Sequence, residues 1–221
     1  MRPGGFALTD RMLQLCAFKA GDRVADIGCG CGATVEYFRS SHGIDAVGID
    51  PTAASLEQGV RRKPGLTLMA GFAGELPFAS ATLDGIVAEC TLSVIANKEQ
   101  ALAEFCRVLR GDGKMAISDI YARNADGLEA ISGMQLPFGI TGIMTQDTVK
   151  GMLIRQGFSM TNWEDHSQVL RDYLIKAIMA DELSGFGQRS LGQGNRCWQE
   201  SMVMLKRASL GYFLLVASKT A

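Results

Sequence analysis

The sequence predicts an α/β domain built on a mostly parallel sheet, with helices on both faces. Three observations carry this. Short apolar segments alternate with segments of helical period through the first half of the chain. The first of those apolar segments ends abruptly in a glycine-rich run, Gly28-Cys29-Gly30-Cys31-Gly32. Hydrophobic residues make up 47% of the 221 residues, enough to bury a core on each side of a sheet. Repeated strand-then-helix units with apolar strands are the pattern of a parallel sheet covered on both faces.

In chain order, a first helix is expected over Thr9–Phe18, with Thr9 as N-cap and Met12, Leu13, Leu15 and Cys16 on its apolar face. Arg23–Ile27 is a short strand. A helix follows the glycines, with Val35, Tyr37 and Phe38 apolar, and Asp45–Asp50 is a second buried strand. Together these form one βαβ unit, whose crossover should be right-handed. The alternation continues with a helix at Ala53–Arg62, strands at Leu66–Ala70 and Leu83–Glu89, and a helix at Lys98–Leu109 closed by Arg110-Gly111-Asp112-Gly113. A fifth strand is expected at Lys114–Asp119, then an irregular stretch over Tyr121–Thr145. A helix at Gln146–Gln156 stops at Gly157. Strands at Ser159–Trp163 and Leu210–Ser218 complete the set. Between them lie two amphipathic segments around a glycine-rich stretch, Gly185–Gly194, which follows no strand and lacks the ending of a phosphate loop.

Composition narrows the partners. Lys and Arg total 22 against 23 Asp and Glu, a formal net charge of −1. No basic stripe is present, which argues against nucleic acid. The one basic cluster, Arg61-Arg62-Lys63, falls at a helix C-terminus, where the dipole favours cations. The N-terminus shows no apolar leader and no segment is long enough to span a bilayer, so no membrane association is expected and a cytoplasmic location follows by default. The six cysteines are read as free thiols.

The chemistry is concentrated where the first strand ends. Asp26 to Gly32 spells D-x-G-x-G-x-G. Glycines there let the backbone turn sharply and let a ligand approach it closely, at the strand end where open parallel sheets bind ligands. Dinucleotide dehydrogenases use G-x-G-x-x-G instead, so the spacing disfavours an NAD-dependent oxidoreductase. Asp50 ends the second strand, where a carboxylate can accept from both hydroxyls of an adenosine ribose. It could equally cap the helix that begins beyond Thr52, and the two roles are compatible. Pro51 beside it suits contact with a purine face.

Taken together, Asp26–Gly32, Asp50, Glu75-Leu76-Pro77-Phe78, Leu83–Val87 and Arg107–Gly113 resemble the successive motifs of class I S-adenosylmethionine (SAM)-dependent methyltransferases, type-11 branch. The resemblance implies a Rossmann-like seven-stranded sheet with a reversed last strand, and SAM as cofactor. It places the methionine part by Asp26, Gly28, Gly30 and Gly32, the ribose on Asp50, and the adenine by the Gly71–Gly74 loop; Cys29 within the glycine run and Pro51 beside Asp50 are further candidate cofactor contacts. One departure stands out. The family often has an Asp before the Ala of that loop, to accept from the adenine amino group, whereas this chain has Phe72 before Ala73. Phe72 could meet the adenine ring or face the core, and the Ala73 N–H could reach a ring nitrogen.

Other strand ends open onto the same rim. Glu89 could contact SAM itself or be a plain strand-end carboxylate. Tyr121 and His166 are the candidates for acid–base work, although aligning a nucleophile with an electrophilic sulfonium can suffice without a base. Cys29, Cys31 and Cys90 could cluster near the glycine loop and suggest methylation of a metalloid such as arsenite. They read more simply as small residues in tight turns, and no resident metal is expected. The expected organisation is one domain over residues 1–221, with cap-like insertions at 121–145 and 166–206. Those insertion helices could instead form a homodimer interface. The functional reading is methyl transfer from SAM to a small-molecule acceptor, with a non-catalytic SAM-binding regulatory module as the alternative.

Overall fold

A computed structural model describes residues 2–131, 142–179 and 209–220. The element order is α1(Gly5–Cys16), β1(Arg23–Ile27), α2(Ala33–His42), β2(Asp45–Asp50), α3(Ala53–Arg62), β3(Leu68–Ala70), β4(Leu83–Glu89), α4(Lys98–Val108), β5(Leu109–Ala122), α5(Ala125–Ala130), α6(Gln146–Arg155), β6(Phe158–Asp165), α7(Ser167–Met179) and β7(Leu210–Lys219). The seven strands form one sheet in the order β3-β2-β1-β4-β5-β7-β6. Strands β1 to β5 pair in parallel, and β7 runs antiparallel between β5 and β6. This is the Rossmann-like sheet with the reversed last strand.

The strands feed two cores alternately, as successive side chains must. Ala25, Val47 and Ile86 face the layer that holds Leu102 and Phe105 of α4 and Met152 and Leu153 of α6. Val24, Ala46 and Val87 face the layer that holds Leu8 and Met12 of α1, Val35 and Phe38 of α2, and Leu170 of α7. Caps set several helix starts: Asn97 accepts from Gln100 N for α4, and Thr145 accepts from Thr148 N for α6.

Several elements differ from the sequence expectation. Within the stretch expected to be irregular, α5 forms over Ala125–Ala130, started by the Asn124 side chain accepting from Gly127 N; β6 is longer than expected and β3 shorter. Helix α1 starts at Gly5, and its cap is Gly4 in a left-handed conformation. Thr9 is not the cap; it is buried inside the helix, where its hydroxyl serves Gly5 O and Glu89. Strand β5 is far longer than expected at both ends. Residues after Val108 stay extended, held to β4 through the Leu83–Leu109 pair and an Arg110–Asp84 ion pair of 2.5 Å. Beyond Asp119 the strand continues to Ala122 because β7 pairs along it from Lys114–Ser218 to Ala122–Leu210.

Of the two expected insertions, residues 132–141 and 180–208 lie outside the described residues, and with them the second amphipathic segment and the glycine-rich stretch between the two. The first amphipathic segment is α7, which buries Leu170 against the α1 layer and leaves Ile175 exposed. No described helix is long and apolar enough to cross a membrane.

The connection from β3 to β4 is clamped by one side chain. Arg107 donates to Phe78 O at 2.9 Å and Leu76 O at 3.2 Å, and pairs with Glu104, which accepts from Leu76 N at 2.8 Å. A planar fork makes these bonds together and an ammonium cannot. Arg107→Lys should therefore lower stability by about 1–2 kcal/mol, read from urea unfolding; an unchanged midpoint would show the clamp to be idle.

Candidate active site

Three neighbouring parallel strands, β2, β1 and β4, deliver Asp50, Asp26 and Glu89 to one rim. Between them runs the glycine loop. Gly28 has φ +76° and lies against the loop after β4; a Cβ there would collide with the Thr91 side chain. Gly30 has φ +54° and nothing within 4 Å of the place a Cβ would take. The first glycine is thus demanded by packing. The second leaves an open stretch of backbone, as a cradle for a ligand requires.

Asp50 is buried and ties the loop to β2. Its Oδ2 accepts from Gly30 N at 2.8 Å and its Oδ1 from Thr52 N at 2.8 Å. A carboxylate has about four lone-pair sites, so each oxygen retains acceptor capacity after these bonds. The anchoring and ligand roles expected for Asp50 are chemically compatible. Pro51 is exposed beside it.

The loop after β3 hangs from the same strand end, with Gly71 N bonded to Asp50 O at 3.3 Å. Phe72 faces solvent, 69% exposed, which removes the alternative that it faces the core. Ala73 packs against the core, and Gln100 donates to Gly74 O at 3.0 Å.

Glu89 is buried in a set of donors that sequence reasoning missed. Arg2 Nε donates to Oε2 at 2.5 Å, Thr34 Oγ1 to Oε1 at 2.9 Å and Thr9 Oγ1 to Oε2 at 3.1 Å. Thr34 lies in the first turn of α2. Arg2 and Thr9 come from the other end of the chain, 87 and 80 residues away, so no local pattern announces them. Asp26, between Asp50 and Glu89, lacks such a donor set. Burial pushes its carboxyl up to about 8, with the Glu89 charge adding and Arg2 opposing.

The remaining candidates are tied into the β5–β6–β7 corner. The Tyr121 hydroxyl donates to Asp165 Oδ2 at 2.8 Å, and burial together with Asp165 raises its pKa. Arg123 pairs with the same Asp165 at 3.1 Å. His166 Nε2 lies 3.0 Å from Glu164 Oε2. Arg11 grips that carboxylate from α1 and, with His166, pulls it down to about 2. Asp119, at the same rim, is buried and accepts from Ser93 N and Ile120 N, both at 2.7 Å.

Two of the three thiols expected near the glycine loop are taken up by their neighbours. Cys29 Sγ would lie 2.6 Å from a Cβ on Gly48, so it rests against the bare backbone of β2, and burial raises its pKa. Cys90 Sγ lies 3.0 Å from the Tyr212 hydroxyl, which bonds Ser118, and burial pushes the thiol up to about 12. Among the described residues no three His, Cys, Asp or Glu side chains could hold a metal ion.

A seven-stranded sheet with this order, opening on a glycine loop between two acidic strand ends, defines the Rossmann-like methyltransferase class. Comparison with known proteins agrees. Residues 25–117, which span β1 to β5 and include Asp26, the glycine loop, Asp50 and Glu89, match the methyltransferase domain family. Over that stretch, from β1 into β5, the chain is similar to the methyltransferase domain family. It is 28% identical to the 27-O-demethylrifamycin SV methyltransferase of Amycolatopsis mediterranei, over 96% of this chain and 82% of that one. It is 33% identical to the demethylmenaquinone methyltransferase of Renibacterium salmoninarum, over 45% of this chain and 41% of that one. Among solved structures, the [4+2]-cyclase SpnF superposes with a TM-score of 0.77 at 21% identity, covering 97% of this chain and 80% of its own. Haemonchus contortus phosphoethanolamine N-methyltransferase 2 in complex with SAM gives 0.76 at 17%, covering all of this chain and 54% of its own. These two likenesses are of fold.

The protonated Asp26 carries a pH signature. The folded protein holds a proton that the unfolded chain releases near the ordinary Asp range of about 4. Between about pH 4 and about pH 8 stability should therefore fall as pH rises, then level off. Asp26→Asn should flatten that slope in thermal melts across the interval; an equally steep slope in the variant would assign it to other groups.

Proposed function

We propose that the protein transfers a methyl group from SAM to a small organic acceptor, releasing S-adenosylhomocysteine. The observation that carries this is the pairing of open Gly30 with the Asp50 carboxylate at the head of β1 and β2. Adenosine hydroxyls can use the acceptor capacity left on each Asp50 oxygen. Pro51 and Phe72 offer apolar exposed surface to a purine, and the Ala73 N–H is a donor for a ring nitrogen. Asp26, Gly28, Cys29, Gly30 and Gly32 line the amino-acid end. Glu89 faces the same end from β4. SAM supplies an electrophilic methyl group, and the residues' task is to align an acceptor with it and exclude water.

We assign no general base. The Tyr121 hydroxyl is held protonated by Asp165, and His166 bonds Glu164, which Arg11 ties to α1. We assign both to fixing the rim where α7 begins. Residues 121–145 and 166–206 serve in this reading as the cap over the acceptor. The charge balance of the chain and its similarity to methyltransferases named for a demethylrifamycin and for demethylmenaquinone support a small-molecule acceptor over nucleic acid.

Two measurements test this reading. Calorimetry with SAM should show at least about tenfold weaker binding for Asp50→Ala, from the loss of charge-assisted hydrogen bonds; unchanged affinity sinks the ribose assignment. Incubation with SAM and a panel of hydroxylated and quinone-like acceptors should yield S-adenosylhomocysteine and a product heavier by one methylene unit. His166→Gln should keep kcat within about tenfold, below the usual contribution of a general base. SAM binding with no turnover on any acceptor would favour the non-catalytic module.

A further inference from the structure

We infer that Arg2 receives the carboxylate of the cofactor's amino-acid end, on the guanidinium edge that Glu89 leaves uncovered; this rests on the SAM reading above. A guanidinium carries five N–H groups in a rigid planar fork. In Arg2, Nε donates to Glu89 Oε2 at 2.5 Å and Nη2 to Thr9 Oγ1 at 2.7 Å, so the Nε–Nη2 edge is occupied. One face lies over Phe6, with Cζ 5.1 Å from the ring centroid. Phe6 is itself held by stacking on Tyr37 at 4.2 Å, and Tyr37 donates to Asp10 at 2.7 Å. The group is fixed on one edge and one face. The other edge, Nη1 with the second Nη2 hydrogen, makes no hydrogen bond to the described residues. Two parallel N–H groups are the complement of a carboxylate.

Strand order places Arg2, through its bond to Glu89, at the amino-acid end of the crevice. Asp50 ends β2 on one side of β1, and Glu89 ends β4 on the other. Glu89 also bonds Thr34 in the first turn of α2, and Thr91 packs on Gly28. A ligand with its ribose on Asp50 and its chain along the glycine loop therefore brings its amino-acid group to Glu89 and Arg2. That group is a zwitterion, and an anchored carboxylate–guanidinium pair offers one partner to each of its charges. Arg2 is in this view a specificity-determining residue, built to distinguish cofactors that carry the amino acid from those that do not.

The test uses two thioethers that differ only at that end. S-adenosylhomocysteine has the amino acid, and 5′-methylthioadenosine has a methyl in its place. By calorimetry on the full chain, Arg2→Gln should weaken S-adenosylhomocysteine about tenfold or more and leave 5′-methylthioadenosine essentially unchanged. Equal weakening of both, or of neither, overturns the inference, the former by making Arg2 merely structural. Arg2→Lys keeps a cation on Glu89 but loses the second edge. It should retain 5′-methylthioadenosine binding and recover only part of the lost affinity, and it carries the test by the same ratio if Arg2→Gln does not fold; full affinity in Arg2→Lys also overturns the assignment. If the unaltered chain binds SAM and neither thioether differentially, Arg2 is wrong; if it binds no adenosyl ligand, the SAM reading fails first.

Discussion

Parallel pairing forces three carboxylates onto one rim, and the protein meets the resulting repulsion in three different ways. Asp50 is neutralised by geometry: two backbone N–H groups, from Gly30 and Thr52, point at its oxygens. Glu89 is neutralised by charge, through Arg2, with two threonine hydroxyls completing its shell. Asp26, between them, has neither and keeps its proton. Each solution also builds something. The Asp50 bonds give the glycine loop its turn, and the Glu89 shell draws the N-terminal segment and α1 across the head of α2. Loop, helix and segment are all consequences of placing acids at adjacent strand ends.

What the sequence makes legible follows the range of the interactions involved. Strands β1, β2 and β4 and helix α3 fall where apolar runs and turn residues place them, because those signals are local. The glycine loop and Asp50 are legible for the same reason, being one strand end and the next. Thr9 shows where local reading stops. Its residue type suits a helix cap, yet it is buried mid-helix because its partner, Glu89, lies 80 residues on. Arg2 is the same case at greater range. The length of β5 depends on β7 pairing with it from the far end of the chain, and a window around Lys114–Asp119 contains none of that. Tyr121 and His166 could be placed on the rim from strand order alone, but Asp165 reaches Tyr121 across the intervening β7 from 44 residues away, and only the folded β6–α7 corner turns the His166 ring onto Glu164, two residues before it.

The likeness to a [4+2]-cyclase at a TM-score of 0.77 shows how little of the chemistry resides in the sheet. The same scaffold hosts different reactions because the strand ends are few and the segments above them vary. In this chain the glycine loop, Asp50 and the Arg107 clamp sit on the β1–β4 half of the sheet, and the Tyr121–Asp165 and His166–Glu164 contacts sit on the β5–β6 half.

Reversal of β7 has an effect on how such variation is accommodated. Because β7 enters the sheet at the rim where β6 leaves it, Asp165 pairs directly with Phe213, and His166 N bonds Tyr212 O at 2.7 Å. The forty-odd residues between them leave and return through adjacent positions, closed at the neck by the sheet itself. For a segment so closed, doubling the length adds only about 0.6 kcal/mol of closure entropy. The near part of this connection, α7, is not free of the sheet: Leu170 joins the core under α1, and Ser167 accepts from Tyr212 N at 3.1 Å, so the reversed strand fixes the start of the connection as well as its neck.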